Sequence, residues 1–368
     1  MKKLAVLFLL PLIFSCGGTS SENAESGNFK VSIDTVLIDA GDQLIFHQSG
    51  LSHTSLSKDQ KKLYIFSPRD QIQIIDLDSL KLDQVIPTQK EGPLGTGMSY
   101  AIHLDQTGRL IFLGFSEVRF FSSDLSSMDL YRIGSESLTG LDPSDVFGVN
   151  TKMAADGKDF YIIYENSERL PQGLARISFE NKQVKKIPFD IASKVQPYIY
   201  SLVMDGRLMS RGHDGLFLEL IENQLLLSTP YSNEAILFDL EKSTVTIKKF
   251  NSELTQDSKP IPVKTEGGSF SELQNLRQEA KKSVTFGPFI FDKKSQRVYR
   301  FSQDLDREIG DSLVFKSILT VFDQDFNQLV EQEVSVDPLS KKFFKDGKLW
   351  SYVNVADELG FAVMEFKF

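Results

Sequence analysis

Apolar and polar positions alternate in short runs along this chain, and six of the runs share one lead-in. An Asp- or Glu-led polar turn passes into an apolar, aromatic-rich segment at Asp59–Tyr64, Asp105–Ile111, Asp156–Tyr161, Glu222–Leu226, Asp292–Tyr299 and Asp346–Trp350. Asp, Asn and Gly supply turn conformations, and aromatic and β-branched residues suit the pleated surface that follows. The marker residues Tyr64, Ile111, Tyr161, Leu226, Tyr299 and Trp350 are 47, 50, 65, 73 and 51 residues apart. The shorter intervals match the ~40 to 50 residues of a four-stranded propeller blade.

Each marker segment is followed by a second strand-like run, as in Ile74–Leu77, Phe121–Leu125, Ile177–Glu180, Leu237–Leu240 and Val321–Asp323. Outer runs such as Leu82–Ile86, Val184–Ile187 and Val245–Ile247 alternate apolar with polar residues, as strands with one wet face do. The sixth unit stops after Phe361–Phe366 and lacks a fourth strand. Phe29–Asp39, with Val31, Ile33, Val36 and Ile38 at strand spacing, is unassigned and is expected to complete it, which removes an exposed sheet edge. The expectation is an all-β, six-bladed β-propeller with the N-terminal strand closing the last blade. The alternative is seven blades, with Tyr198–Met209 opening an extra unit. Residues 251–283 form the longest insertion, where Ser269–Glu272 followed by Leu273, Leu276 and Ala280 predicts a capped amphipathic helix packed over one face.

The first sixteen residues add a cellular address. Lys2–Lys3, the apolar run Leu4–Phe14 and Ser15–Cys16 have the layout of a secretory signal, too short to span a bilayer. Ile13–Gly17 also resembles the lipobox of bacterial lipoproteins, which implies acylation at Cys16, the only cysteine in the chain. Several acyl chains hold a protein firmly where one does not. Gly17–Asn28, rich in Gly, Ser and Glu, reads as a flexible tether. The expected organisation is therefore a lipoprotein signal peptide over 1–16, a tether over 17–28 and one propeller domain over 29–368. The expected location is the cell envelope, lipid-anchored in the outer membrane and facing either the periplasm or the surface.

With 41% hydrophobic and 11% aromatic residues there is material for a large core. The formal charge of −9 becomes −11 if Lys2 and Lys3 are removed. An acidic body without a basic cluster argues against nucleic acid and against adhesion to anionic lipid heads. No cysteine follows Cys16, which excludes disulfides, thiolate nucleophiles and Cys-ligated zinc from the body.

In a propeller, second-to-third-strand loops and blade crossings gather on one face. That face would carry Ser67–Asp70, Glu165–Gly173, Tyr231–Asn233, Ser302–Ser312, Asn354–Glu358 and the crossing Glu91–Gly97, and it is the candidate binding face. Six residues before each acidic turn residue stand His53, Ser99, Asn150, Leu216, Phe286 and Ser340, a register expected on the innermost strands near the channel mouth. One Asn and no carboxylate in that set provide too few oxygen ligands for a central calcium ion, so neither a metal nor a cofactor is expected. Candidate ligand-binding residues are His53, Arg69, Glu91, Asn150, Arg211 and His213. Arg211–Gly215 offers a cation, an imidazole and a carboxylate, but no nucleophile stands at fixed spacing, and no catalytic residue is assigned. Asp304–Asp311 imitates a calcium loop in charge but lacks the EF-hand ligand order, and reads as a solvated loop. The glycines of Glu91–Gly97 lack a following helix and a Lys, so they form no phosphate cradle.

The lipobox, the strand around Ile33–Val36, the unit Leu63–Phe66 with Ile74–Asp78, and Glu91–Gly97 together resemble an uncharacterised family of Gram-negative lipoproteins, a domain of unknown function related to TolB-like six-bladed propellers. The resemblance implies fold and location and carries no activity. Two functions remain open: a binding module for an unknown small molecule, glycan or protein, or a hydrolase or lyase acting on an extracellular glycan or lactone. A carboxylate pair ~5 to 10 Å apart in a pocket would favour the enzyme, and an aromatic-lined groove without one would favour binding.

Overall fold

The computed structural model describes residues 29–67, 70–154, 157–310 and 312–368. The expected signal peptide with Cys16, the expected tether 17–28, Arg69, Asp156 and Asp311 lie outside the described residues.

The described chain is all-β, built mainly of four-stranded antiparallel sheets that follow one another in sequence. Sheet one holds Thr54–Leu56, Lys62–Ser67, Gln71–Asp76 and Lys81–Pro87, and sheet two holds Ser99–Leu104, Leu110–Gly114, Glu117–Phe121 and Met128–Arg132. Sheet three holds Val146–Met153, Asp159–Glu165, Pro171–Ser178 and Gln183–Pro188, and sheet four Phe217–Ile221, Gln224–Ser228, Glu234–Asp239 and Thr244–Lys249. Sheet five holds Thr285–Asp292, Arg297–Ile309, Ser312–Phe322 and Gln328–Val334. In sheet six, Lys342–Lys345, Lys348–Val355 and Glu358–Lys367 are joined by the N-terminal strand Lys30–Leu37, which pairs antiparallel with the last strand from Lys30 opposite Lys367 to Leu37 opposite Gly360. The unassigned N-terminal run thus supplies the fourth strand that the sequence of the last unit lacks.

The described acidic turn residues stand at the junctions between first and second strands. Asp105 Oδ1 accepts from the backbone N–H groups of Thr107 and Arg109 at 2.8 and 2.9 Å, fixing a tight turn whose Gly108 has φ +86°. Second strands are apolar on both faces because each sheet is covered on both sides. Leu225 and Leu227 pack with Tyr161, Ile163 and Leu174 of sheet three, whereas Leu226 between them packs with Phe289, Val298 and Phe322 of sheet five. Each pair of consecutive sheets encloses its own cluster in this way. A further cluster, with Leu63 and Ile75 against Phe343, Trp350 and Phe361, links sheet six back to sheet one. The succession is propeller-like, and the first strands of consecutive sheets adjoin one another.

Polar links accompany the clusters. Ser55 Oγ accepts from Leu104 N between sheets one and two, His103 Nε2 bonds Thr151 Oγ1 at 2.7 Å between two and three, and Lys152 pairs with Glu219 at 2.7 Å between three and four. Between four and five, the buried Arg300 donates to the carbonyls of Gly287 and Thr229 and to Asn233 Oδ1, with its guanidinium over the rings of Phe286 and Phe289.

Two insertions depart from the sheet succession. Tyr200–Met204 and Arg207–Gly212 form a hairpin that takes Glu266–Gly267 as a parallel third strand. This is a small mixed sheet and not a further four-stranded unit. Against it packs the helix Phe270–Lys281, capped by Ser269, whose side chain accepts from Glu272 N. Its Leu273, Leu276 and Ala280 meet Tyr200 and Leu202, as the stripe predicted. The second departure corrects an expectation: most of Ser302–Ser312 is not a loop. Both strands of sheet five run on to a turn at Gly310, with Asp304 opposite Lys316 and Ile309 opposite Ser312.

Candidate functional site

A cavity of about 180 Å³ opens between sheets three and four. Three segments build it: the start of the first strand of sheet three (Phe147–Asn150), the end of its second strand with the following turn (Glu165, Arg169), and the end of the inserted hairpin with the crossing it leads into (Arg211–Leu216). These are an inner-strand start, a second-to-third-strand connection and a crossing, all at one end of the sheets.

Local chemistry fixes each side chain. Glu165 ends a second strand buried throughout, so its carboxylate is carried inside, where it is 5% exposed. Burying a carboxylate demands compensation. Arg169 Nη1 donates to Oε2 at 3.1 Å, and His213 Nε2 lies 3.2 Å from Oε1. Gly215 has φ +90°, a conformation that favours glycine, and its backbone N–H donates to His213 Nδ1 at 3.0 Å. A ring nitrogen that accepts a hydrogen bond carries no proton, so in neutral His213 the proton sits on Nε2 and is donated to Glu165. The intervening Asp214 N–H donates to the Tyr231 hydroxyl at 2.9 Å, and the Tyr231 ring stacks on Tyr198 with centroids 4.1 Å apart. Burial raises the Tyr231 pKa above its ordinary value, leaving a neutral hydroxyl as the anchor of the loop. Asn150 donates its side-chain amide to the Leu216 carbonyl; these two residues hold the same register position in successive units.

Arg211 differs from its neighbours. Its guanidinium makes a single 3.3 Å bond from Nε to Ser201 Oγ and has no carboxylate partner among the described residues. The other cation of the cavity, Arg169, is already paired with Glu165. One unpaired guanidinium beside an amide and a fixed imidazole can hold an oxygen-rich, negatively charged group. Glu165 is the only carboxylate among the lining residues, and both of its oxygens are engaged.

The model of a domain of unknown function, DUF4221, matches residues 26–333. The chain belongs to the DUF4221 family. Among solved structures, it is similar to the crystal structure of a DUF4221 family member from Bacteroides vulgatus, with a TM-score of 0.69 at 14% identity over 92% of this chain and 98% of that one. At that identity the likeness shows a shared fold. Weaker likenesses are to the β-propeller domain of Cps50 (Swd1) from Myceliophteria thermophila, with a TM-score of 0.49 at 11% identity over 89% of each chain, and to the hydrazine synthase of Kuenenia stuttgartiensis, with a TM-score of 0.44 at 11% identity over 84% of this chain and 75% of that one. No curated protein matches.

Of the candidate residues in this DUF4221 protein, the fold gathers Asn150, Arg211 and His213 into one cavity. His53 and Glu91 are exposed and do not line it: His53 directly precedes the first strand of sheet one and uses its carbonyl to accept from Phe66 N, while Glu91 lies on the crossing from sheet one to sheet two. Arg69 lies outside the described residues. Sequence reasoning placed the segment Glu165–Gly173 near the site but did not single out Glu165 or Arg169. The available signal was a lone carboxylate closing the otherwise apolar run Phe160–Tyr164.

Proposed function

We propose that this DUF4221 protein is a cell-envelope lipoprotein whose six-bladed β-propeller is a ligand-binding module, with the cavity between sheets three and four as its site. The observation that carries the reading is Arg211: an arginine with one hydrogen bond and no carboxylate partner among the described residues, set among side chains whose orientations are already fixed. A preorganised pocket with a few converging polar groups is where a small ligand gains most. The six-bladed reading is supported by the hydrophobic clusters between consecutive sheets and by the cluster that returns from sheet six to sheet one. The envelope reading rests on the lipobox resemblance at Ile13–Gly17.

The site is tested by screening a small-molecule fragment library against the full chain by thermal shift, then repeating the hits on Asn150→Ala and Arg211→Gln. Loss of the stabilisation in both variants supports the cavity as the site, and hits indifferent to both substitutions reject it. Chelator should leave binding intact. Cys16→Ser should release the protein from membranes, and unchanged membrane fractionation would reject the lipid anchor.

A further inference from the structure

Beside the first cavity lies a second of about 460 Å³, built one unit earlier from the equivalent segments: the first-strand start of sheet two, the end of its second strand and the crossing into sheet three. The two adjoin at Phe147, which lines both. Their chemistry differs. The first holds Arg211 with no carboxylate partner among the described residues. The second carries an aromatic shelf, with the Tyr100 and Phe115 rings 4.9 Å apart at an interplanar angle of 42°. Phe115 is 65% exposed although it follows a strand that is buried throughout. Its neighbour Gly114 sits against the Met98 carbonyl, where a Cβ would come within 2.7 Å, so the backbone that presents the ring is tightly seated.

Resting on the binding reading above, we propose that the two cavities form one cleft for an acidic saccharide, with the carboxylate of a uronic- or sialic-acid residue on Arg211 and a neighbouring sugar ring on the Tyr100–Phe115 shelf. Three observations point this way. An unpaired guanidinium selects a carboxylate, which it can hold with two parallel hydrogen bonds. An exposed aromatic platform gains by covering a flat apolar face, which a pyranose presents on one side while its hydroxyls point outward. The shelf also has polar borders at Ser135, Glu136, Asp142 and Asp145, suited to those hydroxyls and unsuited to a wholly apolar ring, and Asp142 and Asp145 are both paired with Lys186. Two compartments that share Phe147 as a lining residue fit a ligand of more than one residue.

The test uses the full chain on an immobilised panel of uronic- and sialic-acid-containing oligosaccharides, their neutral counterparts and acidic peptides, followed by calorimetric titration of the best binder. Acidic saccharides should bind and neutral counterparts should bind at least about tenfold more weakly, the scale of one lost charge-assisted contact. Arg211→Gln should weaken binding by a similar factor. Phe115→Ala, at an exposed position, should weaken the oligosaccharide several-fold and leave the matching acidic monosaccharide and the melting temperature unchanged. Equal binding of neutral counterparts, preference for the acidic peptides, or indifference to both substitutions would overturn the proposal. If fragments dependent on Asn150 and Arg211 bind but no acidic saccharide does, this inference falls and the cavity reading stands; if neither class binds, both fall.

Discussion

Two arginines stand at neighbouring sheet boundaries and do opposite things. Arg300, between sheets four and five, is 2% exposed, gives hydrogen bonds to three oxygens on two sheets and lies over two phenylalanine rings. Arg211, beside the boundary of sheets three and four, is exposed and gives one bond to a serine. Burial pulls the Arg300 pKa below the usual arginine range, yet the three acceptors and two ring faces replace the water it has lost. An arginine's role can thus be read by counting what its five N–H groups meet. Saturated, it holds the fold; open, it is available to something else.

The largest effect should come from breaking the saturated case. Arg300→Met keeps much of the side-chain length but leaves the Gly287 and Thr229 carbonyls and the Asn233 amide oxygen without their donor. We expect a loss of about 3 kcal/mol or more in denaturant unfolding. A loss below 1 kcal/mol would mean that the guanidinium is not what ties these sheets together.

The boundary between sheets two and three offers a titratable version of the same contrast. His103 is bonded to Thr151, and burial, with Lys152 and Lys341 nearby, holds its pKa down to about 3. Because the folded value lies below the unfolded value of 6.5, the unfolded chain binds the extra proton first. Stability from this group is complete above pH 6.5 and is lost progressively as pH falls toward 3, at no more than about 1.4 kcal/mol per pH unit. Unfolding measured from pH 7.5 to 5 should show this slope in the parent and a shallower one in His103→Gln. Parallel slopes would reject the assignment.

These contrasts also show what the residue pattern could reveal. Asp105 with its bonded turn, Ser269 as a helix cap and Lys30–Leu37 as the missing strand were legible because each is a local rule: a turn acceptor, a cap, an alternation. The hairpin beyond Ser302 was not. Asp304, Asp306 and Glu308 look like loop residues, and they form strand because the second and third strands of sheet five pair with each other there and not because one face is buried. Arg300 was equally hidden, since a charge in Tyr-Arg-Phe reads as the wet side of a strand until two sheets close over it. At the site, Asn150 was legible from the inner-strand register and Arg211 and His213 as the cation and imidazole of a glycine-flanked stretch, whereas the partnership of Glu165 with His213 joins residues 48 positions apart, which no spacing rule connects.

A smaller effect should follow at Gly215. A Cβ there has room, its nearest neighbour being Asn150 Nδ2 at 3.8 Å, so the cost of Gly215→Ala is the strain of φ +90°, about 1 to 2 kcal/mol. Relaxing that strain would swing the N–H away from His213 Nδ1 and free the ring to change tautomer. The expected signature is a modest fall in melting temperature together with a changed His213 imidazole resonance in NMR. A fall without the resonance change would separate the loop's stability from the orientation of the ring.

The smallest effect should be at Arg211 itself, and there smallness is the point. If its guanidinium were a structural link, Arg211→Ala would cost as much as truncating other bonded groups. With one 3.3 Å bond to a serine and its remaining donors uncommitted, removal should change unfolding free energy by no more than about 0.5 kcal/mol. Ser201 can turn its hydroxyl to water or to backbone, and no buried acceptor is orphaned. The same substitution should abolish fragment binding in the cavity. Stability retained with binding lost is the pattern of a side chain held ready for a ligand, whereas the reverse pattern would place Arg211 with Arg300 among the groups that hold sheets together.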